Sequence, residues 1–280
     1  MTELKEMDGG FTYLEIINDT ACAEIALQGA HIFHFARNGE NPILWLSDES
    51  DFEYGTAIRG GVPICWPSFG MNNPKLPQHG FARTCLWEFI EAKDVDSSTT
   101  EVRFLLKDSE VSREMWNNKF ELELKVTVSD ELIIELTTVN TDKKSFQITQ
   151  ALHSYFHISH IDAVFIEGLE TKPYLDALTG IISHQEDNIF FDKEIDRVYQ
   201  EVNKNILLKD INRTIELAHV GSLSSVIWNP WIEKAKRMSA MNDEAYKEFV
   251  CIETANAYAD FKVLEPGESH TLKVSIFSYN

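Results

Sequence analysis

Phe120-Glu121-Leu122-Glu123-Leu124-Lys125-Val126-Thr127-Val128 alternates apolar and polar residues almost without a break. That is the period of a strand with one dry and one wet face, because successive side chains leave a pleated chain on opposite sides. Outward from this segment the alternation returns at Leu132 to Val139, at Gln147 to Ile158 and at the C-terminus. There His270, Leu272, Val274 and Ile276 share one face and Thr271, Lys273 and Ser275 the other. Further strands are expected near Tyr13 to Ile17, Glu24 to Leu27, His31 to Phe35, Val102 to Leu106, Thr214 to Leu217 and Val250 to Glu253. About a dozen short strands with few helical stripes predict an all-β chain, a large antiparallel β-sandwich with one or two short helices. The best helix candidate is Trp231 to Ala240, rich in Ala, Lys, Met and Glu and preceded by Pro230, a residue suited to a first helical turn. No Ser/Gly/Pro-rich linker or repeat divides the chain, so residues 1–280 are expected to form one domain.

The 280 residues carry 25 basic and 45 acidic side chains, a formal net charge of -20, and are 44% hydrophobic. That apolar content excludes a disordered acidic tail, and the charge excludes a broad nucleic-acid footprint, which needs Lys and Arg to neutralise phosphates. Cys22, Cys65, Cys85 and Cys251 lie far apart without a CxxC pair. Reduced, packed thiols are therefore expected rather than a zinc knuckle, a redox site or a disulfide scaffold. Met1 to Gly10 has no apolar core of a secretory signal, and no run of 18 apolar residues occurs. A soluble cytoplasmic monomer without membrane or nucleic-acid partners is the expectation.

Three segments depart from this background. Gly55 to Trp87 contains Arg59, Lys75 and Arg83 but no Asp or Glu, where a proportional share would be about five. It also holds four of the eight prolines and five of the thirteen glycines, so it should be a stiff, irregular excursion. Two arginines in an acid-free loop suit an anion, because guanidinium offers a planar fork to phosphate or carboxylate, although ion pairs with distant acids would also account for them. His79, beside Gly80, could face a ligand from the same loop or simply satisfy local backbone groups. In the second segment, Ala151 to His160, a strand would project His153, Tyr155 and His157 from one face. A zinc site there is disfavoured, since strand geometry separates His153 from His157 and the HExxH glutamate is missing. In the third, Phe249 to Asn256, Glu253 follows a short apolar strand. It is either an ordinary edge carboxylate or a desolvated one whose raised pKa would suit a general base. Arginines, a histidine and a carboxylate, without a Gly-rich nucleotide loop or a GxSxG elbow, are the vocabulary of acid-base chemistry on a small phosphorylated or acidic substrate.

At these residues the sequence resembles the aldose 1-epimerase superfamily, in its hexose-6-phosphate mutarotase branch. The resemblance is carried by RGGVPICWPSFG from Arg59, LPQHGFAR from Leu76, ALHSYFHIS from Ala151, Asp196-Arg197-Val198-Tyr199, WNPWIEKAKRM from Trp228 and FVCIETANA from Phe249. QHGFAR and LHSYF favour the phosphate branch over mutarotases of free sugars. Ser68 stands where many relatives of the CWPxFG motif carry Gln. The resemblance implies a β-sandwich of the galactose-mutarotase type, with His153 as general acid and Glu253 as general base. It implies that Arg59 and Arg83 contact the phosphate and that Gln78, His79 and Asp196 contact the sugar. It also implies anomer interconversion of a hexose 6-phosphate without metal or cofactor.

Overall fold

The computed structural model describes residues 1–7, 9–71 and 73–280. Two large antiparallel sheets dominate. The nine-stranded sheet runs from Ile189–Phe190 at one edge through Phe165–Glu167, Ile206–Lys209, Thr214–Val220, Ser269–Tyr279, Glu131–Asn140, Phe120–Val128 and Thr99–Lys107 to Glu88–Asp96. In Glu131–Asn140 buried and half-buried residues alternate without exception, and the apolar positions of Phe120–Val128 are all buried, as the period predicts. A smaller four-stranded sheet, Thr2–Glu6, Thr12–Ile17, Ala21–Ala26 and His31–Arg37, holds the N-terminal part.

The eight-stranded sheet follows the order Ile181–His184, Pro173–Asp176, Ile195–Tyr199, Ser224–Asn229, Phe249–Asn256, Gln150–Leu152 and Ile64–Cys65, with Tyr155–His157 also paired to Phe249–Asn256. Every residue of Ser224–Asn229 and of Phe249–Asn256 is buried, so this sheet is covered on both faces at its centre. Ile64, Leu152, Ile227 and Ile252 join Leu122, Leu124, Leu272 and Val274 of the nine-stranded sheet in the main core. The Trp66 indole crosses from the adjoining loop to donate to Thr138 Oγ1 at 2.9 Å. From the opposite face Cys65, Ala151, Val198, Val226 and Ala255 form a separate small cluster with Phe69 and Ala257. This second face, floored by small side chains, is where the site lies.

The structure alters three expectations. Gln147 to Ile158 is not one strand but parts of three, because it changes partners: Phe146–Ile148 pairs with Lys262–Leu264, Gln150–Leu152 with Leu152's neighbours Ile64–Cys65 and with the end of Phe249–Asn256, and Tyr155–His157 with the start of that strand. The second helix covers Trp231–Ala235, and the chain beyond it continues to Met238 through turns that bond three residues back. A helix at Glu110–Met115 was not foreseen; Ser109 starts it with a reciprocal side-chain to backbone cap with Ser112. Among the described residues of Gly55 to Trp87, regular structure is confined to Ile64–Cys65 and the single turn Ala82–Thr84, as expected. All four cysteines are free thiols. Among the described residues, no helix is long and apolar enough to cross a membrane.

Candidate active site

Pairing register decides which side chains meet over the second face. Val198 lies opposite Val226 and Val226 opposite Glu253, while Asp196 lies opposite Trp228. Cross-strand partners project from the same side of a sheet, so Asp196, Trp228 and Glu253 all rise from the face that carries Val198 and Val226. They line a cavity of about 500 Å³ together with Arg59, Gln78, His79, Arg83, His153 and Tyr155. All seven side chains expected to form a site from the sequence are brought to this one cavity.

His153 stands in the break between Gln150–Leu152 and Tyr155–His157, its N–H donating to Pro63 O at 3.1 Å. Its ring stacks on Tyr155, 4.9 Å between centroids at 13°, and meets the edge of Trp228 at 6.0 Å. Its Nε2 lies 3.2 Å from Glu253 Oε1. His153 Nδ1 and Glu253 Oε2 are buried without a hydrogen-bond partner. Burial pushes the Glu253 carboxyl well above the usual carboxylate range, and the charge of Asp196 adds to the effect. Burial lowers His153 well below the ordinary imidazole value, with His79, Arg83 and Arg59 pushing the same way. Desolvation and the neighbouring cations thus both work against the imidazolium form.

The arginines come from the acid-free loop. Arg59 is pinned by its backbone: its N–H donates to Ser50 Oγ at 2.8 Å and its carbonyl accepts from Ser47 N at 3.0 Å. Gly60 next to it has φ 114°, and a Cβ there would meet Trp45 O at 2.5 Å, so the chain can pass only without a side chain. Arg83 leaves the turn Ala82–Thr84 and donates from Nη2 to Gln78 O at 2.8 Å, which ties it to the segment carrying Gln78 and His79. Gly80 at φ 73° lets that segment press on Trp66, where a Cβ would come within 2.0 Å of the carbonyl oxygen. His79 meets His153 edge-on at 5.7 Å and Phe69 at 5.1 Å. Burial, reinforced by Arg83 and Arg59, lowers its pKa to about 3, so it faces the cavity as a neutral imidazole. Gln78 is exposed at the rim.

Asp196 is half-buried, and desolvation raises its pKa against the opposing pull of Lys234. Lys234 Nζ lies 3.8 Å from Asp196 Oδ2, 2.8 Å from Glu194 Oε1 and over the Trp228 ring at 5.7 Å. Lys234 and Tyr155 were not picked out as site residues from the sequence. The first sits in WNPWIEKAKRM, a segment already conspicuous, and the second sits two residues from His153, so both lay within reach of a closer reading. His157 does not join the site; it lines a different depression with Asp210 and Arg213. Ser68 is buried but does not line the cavity, whereas Phe69 does. Among the described residues no three His, Cys, Asp or Glu side chains gather closely enough to hold a metal ion.

A sheet face holding a buried imidazole against a buried carboxyl, ringed by hydrogen-bonding groups and two guanidinium groups, defines an acid-base site sized for a small polar molecule. The aldose 1-epimerase family profile matches residues 13–276, and the chain belongs to that family. Membership makes it an isomerase of the aldose epimerase kind, with a small sugar as substrate. A Salmonella typhimurium protein provisionally named a glucose-6-phosphate 1-epimerase is 38% identical over 250 residues, covering 87% of this chain and 82% of that protein. A protein of Cenchrus ciliaris under the same provisional name is 34% identical over 271 residues, covering 91% and 80%. The crystal structure of a Salmonella typhimurium protein provisionally described as a mutarotase superposes with a TM-score of 0.93 at 32% identity, covering 100% of this chain and 94% of that one. A galactose mutarotase related enzyme of Lactobacillus acidophilus, 16% identical with a TM-score of 0.76 and coverage of 96% and 97%, shares the fold.

Proposed function

We propose that this protein interconverts the α and β anomers of a hexose 6-phosphate, glucose 6-phosphate first among them. The observation that carries the reading is the contact between His153 and Glu253 at 3.2 Å in a cavity that also holds Arg59 and Arg83. Mutarotation removes the proton of the anomeric hydroxyl and protonates the ring oxygen. Both oxygens are bonded to C1, so the two groups that serve them must stand close together, as these do. Ionised Glu253 takes the O1 proton while His153, as imidazolium, delivers a proton to O5. The C1–O5 bond breaks, its electrons stay on O5, and the O1 electrons close the aldehyde. Rotation about C1–C2 presents the other aldehyde face, and closure returns both protons. General acid and general base terms of ~10² to 10⁴ each are adequate for a reaction that already runs slowly in water.

The phosphate branch is favoured by connectivity. C6 hangs from C5, which bears O5, so a 6-phosphate lies on the side of the group that protonates O5. Arg59 and Arg83 are the cations whose charge reaches His153. Asp196, held beside Lys234, and the neutral His79 with Gln78 would take the sugar hydroxyls. Neither the family match nor the provisional names of relatives decide between phosphorylated and free sugars, and that is the point to test. Two-dimensional exchange NMR at equilibrium should show faster α to β exchange for glucose 6-phosphate and little for glucose or galactose. Acceleration of the free sugars alone would assign the protein to unphosphorylated aldoses, and binding without acceleration would make it a carbohydrate-binding module.

A further inference from the structure

The imidazole of His153 is held unlike the histidines of most acid-base sites. Such rings are usually oriented from behind, by an acceptor on the nitrogen that does not face the substrate. Here Nε2 lies 3.2 Å from Glu253 Oε1, whereas no group among the described residues bonds the buried Nδ1. One hydrogen bond selects which edge of the ring meets Glu253 but leaves its plane free to tilt about Cβ–Cγ, and tilting swings Nε2 out of line. Trp228 and His79 meet the imidazole nearly at right angles, 76° and 79°. Among the described residues Tyr155 alone lies parallel to it, 13° between planes and 4.9 Å between centroids. Tyr155 is itself fixed. Trp45 stacks on it at 5.9 Å and 24°, Phe249 packs against both rings, and the Trp45 indole donates to Glu248 Oε2 at 3.2 Å. The Tyr155 backbone pairs opposite Cys251, two residues before Glu253, and its carbonyl accepts from Trp45 N at 3.0 Å. The strand that carries the base therefore also anchors the ring against which the acid lies.

We propose that Tyr155 is the positioning residue for His153: its ring face, not its hydroxyl, sets the plane in which the imidazole presents Nε2. The consequence for turnover rests on the acid-base reading above, and the geometry does not. A parallel aromatic face resists tilt, because rotation of the imidazole either drives an edge into the phenol ring or opens a gap in a close-packed interior. It holds the plane whether the imidazole is charged or neutral. An acceptor on Nδ1 would favour the charged form, since a hydrogen bond to one protonation state shifts the balance towards it. A stack therefore suits a group that gives a proton to O5 in ring opening and takes it back in closure. Trp45, outside the cavity lining, stiffens this arrangement by stacking on Tyr155 in its turn.

The test compares three variants of the full chain: Tyr155→Leu, which removes the ring, Tyr155→Phe, which keeps it, and Trp45→Leu, which removes its backing from outside the cavity. Anomer exchange of glucose 6-phosphate gives kcat and KM for each. The ring-proton signals of His153, assigned with His153→Asn as the blank, report the stack through the ring current of Tyr155. Tyr155→Leu should lose ~100-fold in kcat with KM changed less than ~3-fold, since misplacing a reacting group by about 1 Å can cost that much. Trp45→Leu should lose ~10-fold in kcat, and Tyr155→Phe should restore kcat to within ~3-fold of the unsubstituted protein. The upfield displacement of the His153 signals should persist in Tyr155→Phe, shrink in Trp45→Leu and vanish in Tyr155→Leu. Equal losses in Tyr155→Phe and Tyr155→Leu would transfer the role to the hydroxyl, and full turnover in Tyr155→Leu would mean that the plane is set elsewhere; either result overturns the inference. Should Tyr155→Leu fail to fold, Trp45→Leu decides by the same readouts, and unchanged kcat and ring signals there overturn it. Absence of exchange in the unsubstituted protein would remove the proposed function and leave the ring signals to judge the stack, which a His153 signal without upfield displacement would refute.

Discussion

Glu253 stands on the middle of a strand paired along both sides, whereas Arg59, His79 and Arg83 stand on an irregular loop whose shape is set by turns, prolines and two close backbone approaches. The sheet half fixes its side chain by register: Glu253 pairs with Val226 on one side, and on the other the ladders to Gln150–Leu152 and Tyr155–His157 hold the strand just beyond it at both ends. The loop half fixes its side chains one hydrogen bond at a time: Arg59 N to Ser50 Oγ, Arg83 Nη2 to Gln78 O, His31 Nε2 to Gly60 O at 2.8 Å. The base is thus carried by a paired strand, and the charged groups, whose reach falls off slowly with distance, by the loop.

That division can be broken at its sheet end first. Glu253→Gln is nearly isosteric and removes the base, so kcat should fall ~10³-fold or more while binding of glucose 6-phosphate changes little, read by exchange NMR and calorimetry. Wild-type turnover in this variant would remove Glu253 from the mechanism. The loop end is exposed by acid. His31, fully buried, and His79 have pKa values lowered to about 4 and about 3, whereas in the unfolded chain both titrate near 6.5. Between those values the unfolded state binds more protons, so stability rises with pH and is lost as pH falls below about 6.5. His153, His34, His157 and His270, also lowered by burial, act in the same sense, while Glu253 and Asp196, raised, act in the opposite one. Denaturant titration should therefore show stability falling between pH 7.5 and pH 5, with roughly 2 kcal/mol of the fall from each of His31 and His79. A stability unchanged over that interval would mean that these rings are charged or exposed. Arg83→Ala should have the smallest effect, raising KM for glucose 6-phosphate ~10- to 100-fold with no loss of exchange for glucose. An equal loss for both sugars would place Arg83 on the hydroxyls and not on the phosphate.

The long strands were legible because each buries one face: Phe120–Val128 reads from its own period alone. Thr2–Glu6 is polar apart from an exposed Leu4 and buries no residue, and Ile64–Cys65 is too short to show a period, so neither announces itself. The predicted helix from Trp231 to Ala240 is cut short because its second half turns to line the cavity with Arg237, Met238 and Ser239, and Ala240 adopts φ 55°. His153 and Glu253 could be picked out by residue type in an unlikely setting. Their contact could not, since it depends on the register between Tyr155–His157 and Phe249–Asn256. The same holds for Lys234 beside Asp196, a pairing between a helix and a strand distant in sequence. The direction in which burial moves His153 was not legible either, because a sequence shows which charges are present and not how much water has been removed from around them.

The two-faced burial of Phe249–Asn256 also divides the ways this strand can change over generations. Glu253 answers to whatever occupies the cavity and Ala255 to the small-residue cluster on its face, while Ile252 answers to the main core on the other. A lineage could retune its ligand by substitutions at alternate positions without disturbing the packing beneath. A deletion of one residue would exchange the two alphabets at once, sending the carboxylate among the apolar side chains and an isoleucine into the sugar's place.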